Sequence, residues 1–168
     1  FNRSIVSGNF DILGASPDVT LWAWDTSFSN DLDDISGTSE VYLVGCDTQS
    51  IAPSDDAKVW IYRWIDLMVY DGMNPKNPLE NVEIWINNSN TGAGTSWNRY
   101  GFTDITGNYR TTGLSNYLHY DDASGQVIGT PYNSYSLVTE YQPGTTNHYE
   151  TTGIGLASYP AMALTDAV

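Results

Sequence analysis

Val59-Trp60-Ile61-Tyr62-Arg63-Trp64-Ile65-Asp66-Leu67-Met68-Val69-Tyr70 is the stretch whose reading decides the fold. With a period of two, Val59, Ile61, Arg63, Ile65, Leu67 and Val69 fall on one side and Trp60, Tyr62, Trp64, Asp66, Met68 and Tyr70 on the other. One face is aliphatic and the other aromatic, in β-branched and aromatic residues that suit an extended strand. A strand with one wet face alternates apolar with polar, and this one does not. The expectation is that both faces are covered, by a second sheet, another segment or another subunit.

Outward from this strand, residues 71–78 (Asp-Gly-Met-Asn-Pro-Lys-Asn-Pro) are turn formers. A second strand follows at Val82-Glu83-Ile84-Trp85-Ile86, then a polar loop over 87–96 and a third strand at Trp97-Asn98-Arg99-Tyr100-Gly101-Phe102. Upstream, residues 19–24 and 40–46 read as strands, with polar connections at 27–39 and 47–56. Downstream, short strands are expected at 109–112, 117–120, 126–129, 134–141 and 147–152, punctuated by Gly113, Gly125, Pro131 and Pro143-Gly144. No segment carries a helical period with caps, and no exact internal repeat is visible. The chain reads as all-β.

Pro78-Leu79-Glu80-Asn81-Val82-Glu83-Ile84 and Thr103-Asp104-Ile105-Thr106-Gly107-Asn108-Tyr109, with a weaker match at Tyr135-Ser136-Leu137-Val138-Thr139-Glu140 before Pro143-Gly144, carry a resemblance. Over about residues 58–141 the chain resembles the carboxypeptidase-regulatory-like and collagen-binding B-type domains. The resemblance implies an Ig-like or transthyretin-like antiparallel β-sandwich with an N-terminal extension, and a non-catalytic module of a secreted or surface protein. Some collagen-binding B-type members carry a lysine–asparagine cross-link. Here Lys58 and Lys76 lie at a strand start and in a turn, so that bond is not carried over. Two layouts fit: an arm with additional strands over 1–57 packed on a sandwich core over 58–168, or one domain over 1–168.

Twenty acidic residues against six basic ones give a net charge of −14. Such a surface repels nucleic acid and anionic lipid, and neither is an expected partner. No run reaches the roughly 18 apolar residues of a membrane span. The single Cys46 sits in an apolar run, where it reads as a small buried residue rather than a nucleophile. The chain opens on Phe1 rather than Met, as a processed or excerpted secreted chain would. Asn2-Arg3-Ser4 and Asn87-Asn88-Ser89 are N-glycosylation sequons.

No Gly-x-Ser-x-Gly, phosphate loop or zinc-ligand spacing occurs, and His119 and His148 lack a local partner motif. Enzymatic activity is therefore not expected. Asp31, Asp33, Asp34, Asp55 and Asp56 gather oxygen ligands in loops and make Ca2+ the best inorganic candidate, weighed against plain solvated acidic loops.

Six Trp, twelve Tyr and four Phe are too many for surface decoration. Core packing of Trp60, Trp64 and Trp85 is the plain account, and two functional accounts compete with it. One is a subunit of an extracellular filament, sheath or surface layer, or an adhesin module, joined to other copies or other surface proteins by strand addition. Its interface would draw on Phe10, Ile12, Trp60, Tyr62, Trp64 and Trp85, with residues 1–13 or 154–164 as the exchanged segment. The alternative is a carbohydrate-binding module that stacks glycans on Trp22, Trp24, Trp60, Trp64 or Trp97.

Overall fold

The computed structural model describes residues 2–7, 11–12, 19–48, 50–71, 73, 75–89, 98–141 and 148–155. Among the described residues strand makes up 61% and helix is absent, and no sheet closes into a barrel. The all-β class is borne out, and the open sheets are consistent with a β-sandwich. The chain splits into two compact units, the first holding residues 1–63 and 114–131 and the second 64–113 and 132–156.

The first unit is built from parallel rungs. Strands β2 (Thr20–Trp24), β5 (Glu40–Val44) and the start of β7 (Lys58–Met68) pair in parallel, Trp22 facing Tyr42 and Tyr42 facing Trp60. Each return of the chain to this sheet thus takes 20 residues and then 18. Parallel neighbours need a long crossover. Here the crossovers are short strands that pair with one another: β1 (Ile5–Val6) with β3 (Ser27–Phe28), and β4 (Leu32–Ile35) with β6 (Ile51–Pro53). Residues 27–39 and 47–56, expected as loops, therefore contain strands. Two-to-four-residue strands among Ser and Asp give no periodic signal.

The corners repeat as well. Arg3, Asp25 and Gly45 all take positive φ at the end of successive rungs, and Gly37 and Asp55 do so at a second corner. Inside, Ala23, Val41, Leu43, Val59 and Ile61 belong to one buried cluster with Phe28, Leu32, Ile35, Ile51 and Leu118. The sheet is completed by β10 (Asn108–Asp121) and β11 (Gln126–Pro131), in the order β11-β10-β7-β5-β2. Gly113, expected to separate two strands, lies buried within the single 14-residue β10.

The second unit is antiparallel. Strands β8 (Glu83–Asn88), β9 (Arg99–Phe102), β12 (Ser134–Tyr141) and β13 (His148–Gly155) form a sheet ordered β13-β12-β8-β9. Its inner face contributes Ile84, Ile86, Tyr135 and Leu137, which pack with Val82 and with Ile65 and Leu67 of β7. The connection after β9 is pinned by Asp104, whose Oδ1 accepts bonds from Thr106 N (2.8 Å) and Asn108 N (3.0 Å), an Asx-type turn.

Only one face of β7 is fully covered. Val59, Ile61, Ile65 and Leu67 are buried, whereas Trp60 and Trp64 are half-buried and Asp66 and Met68 exposed. The expected cover on the aromatic side is replaced, along β2, β5 and β7, by the rings covering one another.

Gly45 donates its N–H to Tyr62 O (3.0 Å) from a left-handed conformation. Gly45→Val should cost about 1–2 kcal/mol, the penalty of a β-branched residue at positive φ. Asp25→Gly at the equivalent corner should be neutral or stabilising. Urea denaturation of both variants checks the pair.

Candidate functional site

Period two on three in-register strands turns alternate residues to the same outer face. Trp22 and Trp24 of β2, Tyr42 of β5 and Trp60 of β7 therefore form a row across the first unit. Trp22 and Tyr42 stack with centroids 4.1 Å apart and planes 5° from parallel. Tyr42 and Trp60 follow at 4.7 Å and 6°, and Trp22 meets Trp24 at 5.9 Å and 13°. The row continues through Tyr117, tilted 38° from Trp60, to His119, stacked on Tyr117 at 5.2 Å.

This geometry has a chemical consequence. Near-parallel rings at van der Waals separation turn their π faces toward each other, and a sugar stacks on a π face. The middle of the row is thus an internally satisfied ladder that stabilises the sheet. Only at the end strand is a large part of a ring open, Trp22 being 44% exposed. Burial first, then a hydrogen bond to Glu40 Oε2 (3.0 Å), push the Tyr42 phenol above its ordinary pKa. Beside the ladder, Thr20, Thr38, Glu40, Asp56 and Lys58 line an open concavity of about 530 Å³. Its walls are polar, unlike the mostly apolar pockets that small ligands occupy.

The second unit carries different aromatic surfaces. Arg110 lies over Trp64, 4.2 Å from the ring centroid, and its Nε is 3.3 Å from Asp66 Oδ1. On the outer face of the four-stranded sheet, Trp85 pairs across the ladder with Tyr100 of β9. Their rings are 5.5 Å apart and tilted by 43°, and Phe102 meets Tyr100 edge-on at 72°. These faces are not consumed by stacking, and Tyr100 and Phe102 are 54% and 50% exposed. Tyr100 Oη donates to Glu83 Oε1 (2.7 Å), which holds the phenol proton and raises its pKa.

Other singled-out residues fall as follows. Phe10 and Trp97 lie outside the described residues. Ile12 is buried in the core of the first unit, with its carbonyl accepting from Ser36 N (3.0 Å), and Tyr62 is buried too. Asp31 is half-buried before β4, Asp55 Oδ2 accepts from Gly37 N (3.3 Å), and Asp56 is exposed. The side chains of Asp33 and Asp34 lie outside the described residues, among which no group of three or more acidic, His or Cys side chains is placed to hold a metal. Asn2 is exposed, and Asn87 is half-buried on β8.

Cys46 is buried, with its thiol directed at Ala23 O (3.3 Å), and burial pushes its pKa up, away from nucleophilic use. Arg63 takes an inward position on β7, where its Nη1 donates to Cys46 O (2.8 Å) and burial pulls its pKa down.

Sequence reading missed Tyr42, Tyr117 and His119 as ladder members, and Tyr100 and Phe102 as exposed rings. The spacing Trp22, Tyr42, Trp60 held the first signal; the second needed the position of β9 at a sheet edge. Comparison with family models, curated proteins and solved structures returned no match to this chain.

Two predictions test this description. Tyr42→Ala removes two stacked contacts and should cost about 1–3 kcal/mol, at roughly 0.5–1.5 kcal/mol per aromatic pair. Denaturation and loss of near-UV circular dichroism report it. Hydrogen bonds hold the exposed Asp71 and Asp104 carboxyls below the usual 3.8, led by Asn77 N–H for the first and by Thr106 Oγ1 for the second. Their stabilising contribution is complete above the unfolded carboxylate pKa and is lost as pH falls through the lower folded values. The Asp71→Asn, Asp104→Asn double variant should show a flatter loss of stability below about pH 4.

Proposed function

We propose that this chain is a non-catalytic structural module of an extracellular filament, sheath or cell surface. It joins other copies of itself, or other surface proteins, by strand addition at the outer edge of β9. The observation that carries the reading is that edge. Among the described residues β9 ends its sheet, and two large apolar side chains on it stay half-exposed or more. Ile105, in the turn that follows, is 75% exposed. Sheet edges are ordinarily blunted by lysine, proline or bulges, because a row of unpaired N–H and C=O groups templates another strand. Arg99-Tyr100-Gly101-Phe102 has one flanking arginine and neither lysine nor proline. An incoming strand gains backbone bonds from this edge and apolar contact from Tyr100 and Phe102.

The resemblance of residues 78–84 and 103–109 to the carboxypeptidase-regulatory-like and collagen-binding B-type domains supports the same reading. The described part of residues 1–13 does not favour that stretch as the donor. Ile5–Val6 pairs with Ser27–Phe28 in the same chain, and Ile12 is part of its core. The donor is an extended apolar segment elsewhere in a second copy or in a neighbouring surface protein. Glycan stacking on the ladder has no such support, because its ring faces are turned to one another.

The test is the Tyr100→Lys, Phe102→Lys double variant, which places gatekeeper charges on the edge and leaves the half-buried Arg99 and Gly101 of β9 intact. It should fold with unchanged circular dichroism and fail to assemble, as read by light scattering and electron microscopy. Assembly equal to that of the parent chain would overturn the β9 version.

A further inference from the structure

The outer face of β8 places a sequon and an aromatic ring two residues apart. Trp85 and Asn87 point to the same side of the sheet, because Ile84 and Ile86 between and before them are fully buried. The residue facing Asn87 on β12 is the small Ser136, and the residue facing Trp85 on β9 is Tyr100. The neighbouring amide, Asn88, is already engaged: its Nδ2 donates to Tyr132 O (2.7 Å). Ser89, which completes the sequon, is exposed and held by its backbone N–H to Ser134 O (2.8 Å).

We infer that Asn87 is an N-glycan acceptor whose first sugar packs on the Trp85 ring, with Tyr100 at its side. The inference rests on the extracellular reading, since only an exported chain meets the sugar donor. That donor is a lipid-phosphate-linked oligosaccharide. Asn87 Nδ2 attacks the anomeric carbon, the N–C bond forms, and the bond from that carbon to the phosphate oxygen breaks. The lipid phosphate leaves with the electron pair, and one amide proton passes to a base of the transferring enzyme. The attached sugar then presents its C–H face to the tilted, partly open indole of Trp85. This covers apolar surface that the bare sheet leaves wet. The glycan also stands beside the β9 edge and limits which strands reach it.

The experiment secretes the full chain from a cell that performs N-glycosylation and maps both sequons by mass spectrometry, with Asn2 as the internal control for export and transfer. Asn87 should be occupied. The occupied chain should melt roughly 2–4 °C above the Ser89→Ala variant, and that difference should vanish when both carry Trp85→Ala. Because Trp85→Ala also removes the ring contact with Tyr100, ring-current shifts of the first sugar's protons are measured in the parent chain as well. An unmodified Asn87 beside a modified Asn2 would overturn the acceptor site. An occupied Asn87 with unshifted sugar protons would overturn the packing. Assembly of the Ser89→Ala variant is scored separately, so failure here is distinguishable from failure of strand addition at β9.

Discussion

Parallel, in-register pairing of β2, β5 and β7 is the constraint on which the first unit depends. Once Trp22, Tyr42 and Trp60 share a line across the sheet, the residues between them must share one too. Ala23, Leu43 and Ile61 then fall on a single inward column. The left-handed corners at Arg3, Asp25 and Gly45 follow from the same register, since each strand must end at the same height for the chain to turn inward together. A slip of one residue would exchange the aliphatic column for the aromatic one, and neither face would then fit its surroundings. Register is therefore fixed by two incompatible chemistries on opposite faces of the same strands.

The two aromatic surfaces differ because parallel and antiparallel neighbours present side chains differently. In the parallel rungs, equivalent residues sit directly above one another, and flat rings close into a ladder whose members exclude water from each other's faces. In the antiparallel pair of β8 and β9, Trp85 and Tyr100 approach at 43°. Their ring faces stay partly open, and among the described residues no further strand pairs with β9 to extend the row. Similar residue types thus yield a self-covered surface in one unit and a partly open one in the other. Composition alone does not separate these outcomes.

The sequence showed the all-β class and most of the longer strands because alternation over five or more residues is hard to mistake. Residues 134–141 fall where the pattern placed them. The crossovers did not show. Ser27–Phe28, Leu32–Ile35 and Ile51–Pro53 are too short for a period, and Ser27, Asp33, Asp34 and Pro53 lower their strand propensity. Their pairing comes from the step between rungs, which only register reveals. Gly113 misled for the opposite reason: a glycine that usually punctuates sits buried inside a continuous strand. Of the candidate site, the aromatic content was legible, but not which rings stack and which stay open. That distinction depends on partners distant in sequence.

Charge sets the remaining condition on how such a chain meets its neighbours. Against a net charge of −14, several of the few basic groups are committed internally. Arg63 is buried on Cys46 O, Arg110 is held by Trp64 and Asp66, and Lys76 lies over the Tyr70 ring at 5.9 Å. A contact between two copies therefore gains little from ion pairing and begins against long-range repulsion. Salt shortens that repulsion to about 8 Å at physiological ionic strength. Backbone bonding and apolar contact act within a few ångströms and survive the screening. The strand-addition contact proposed at β9 is accordingly one that salt would strengthen, whereas an ion-paired interface is one that salt weakens.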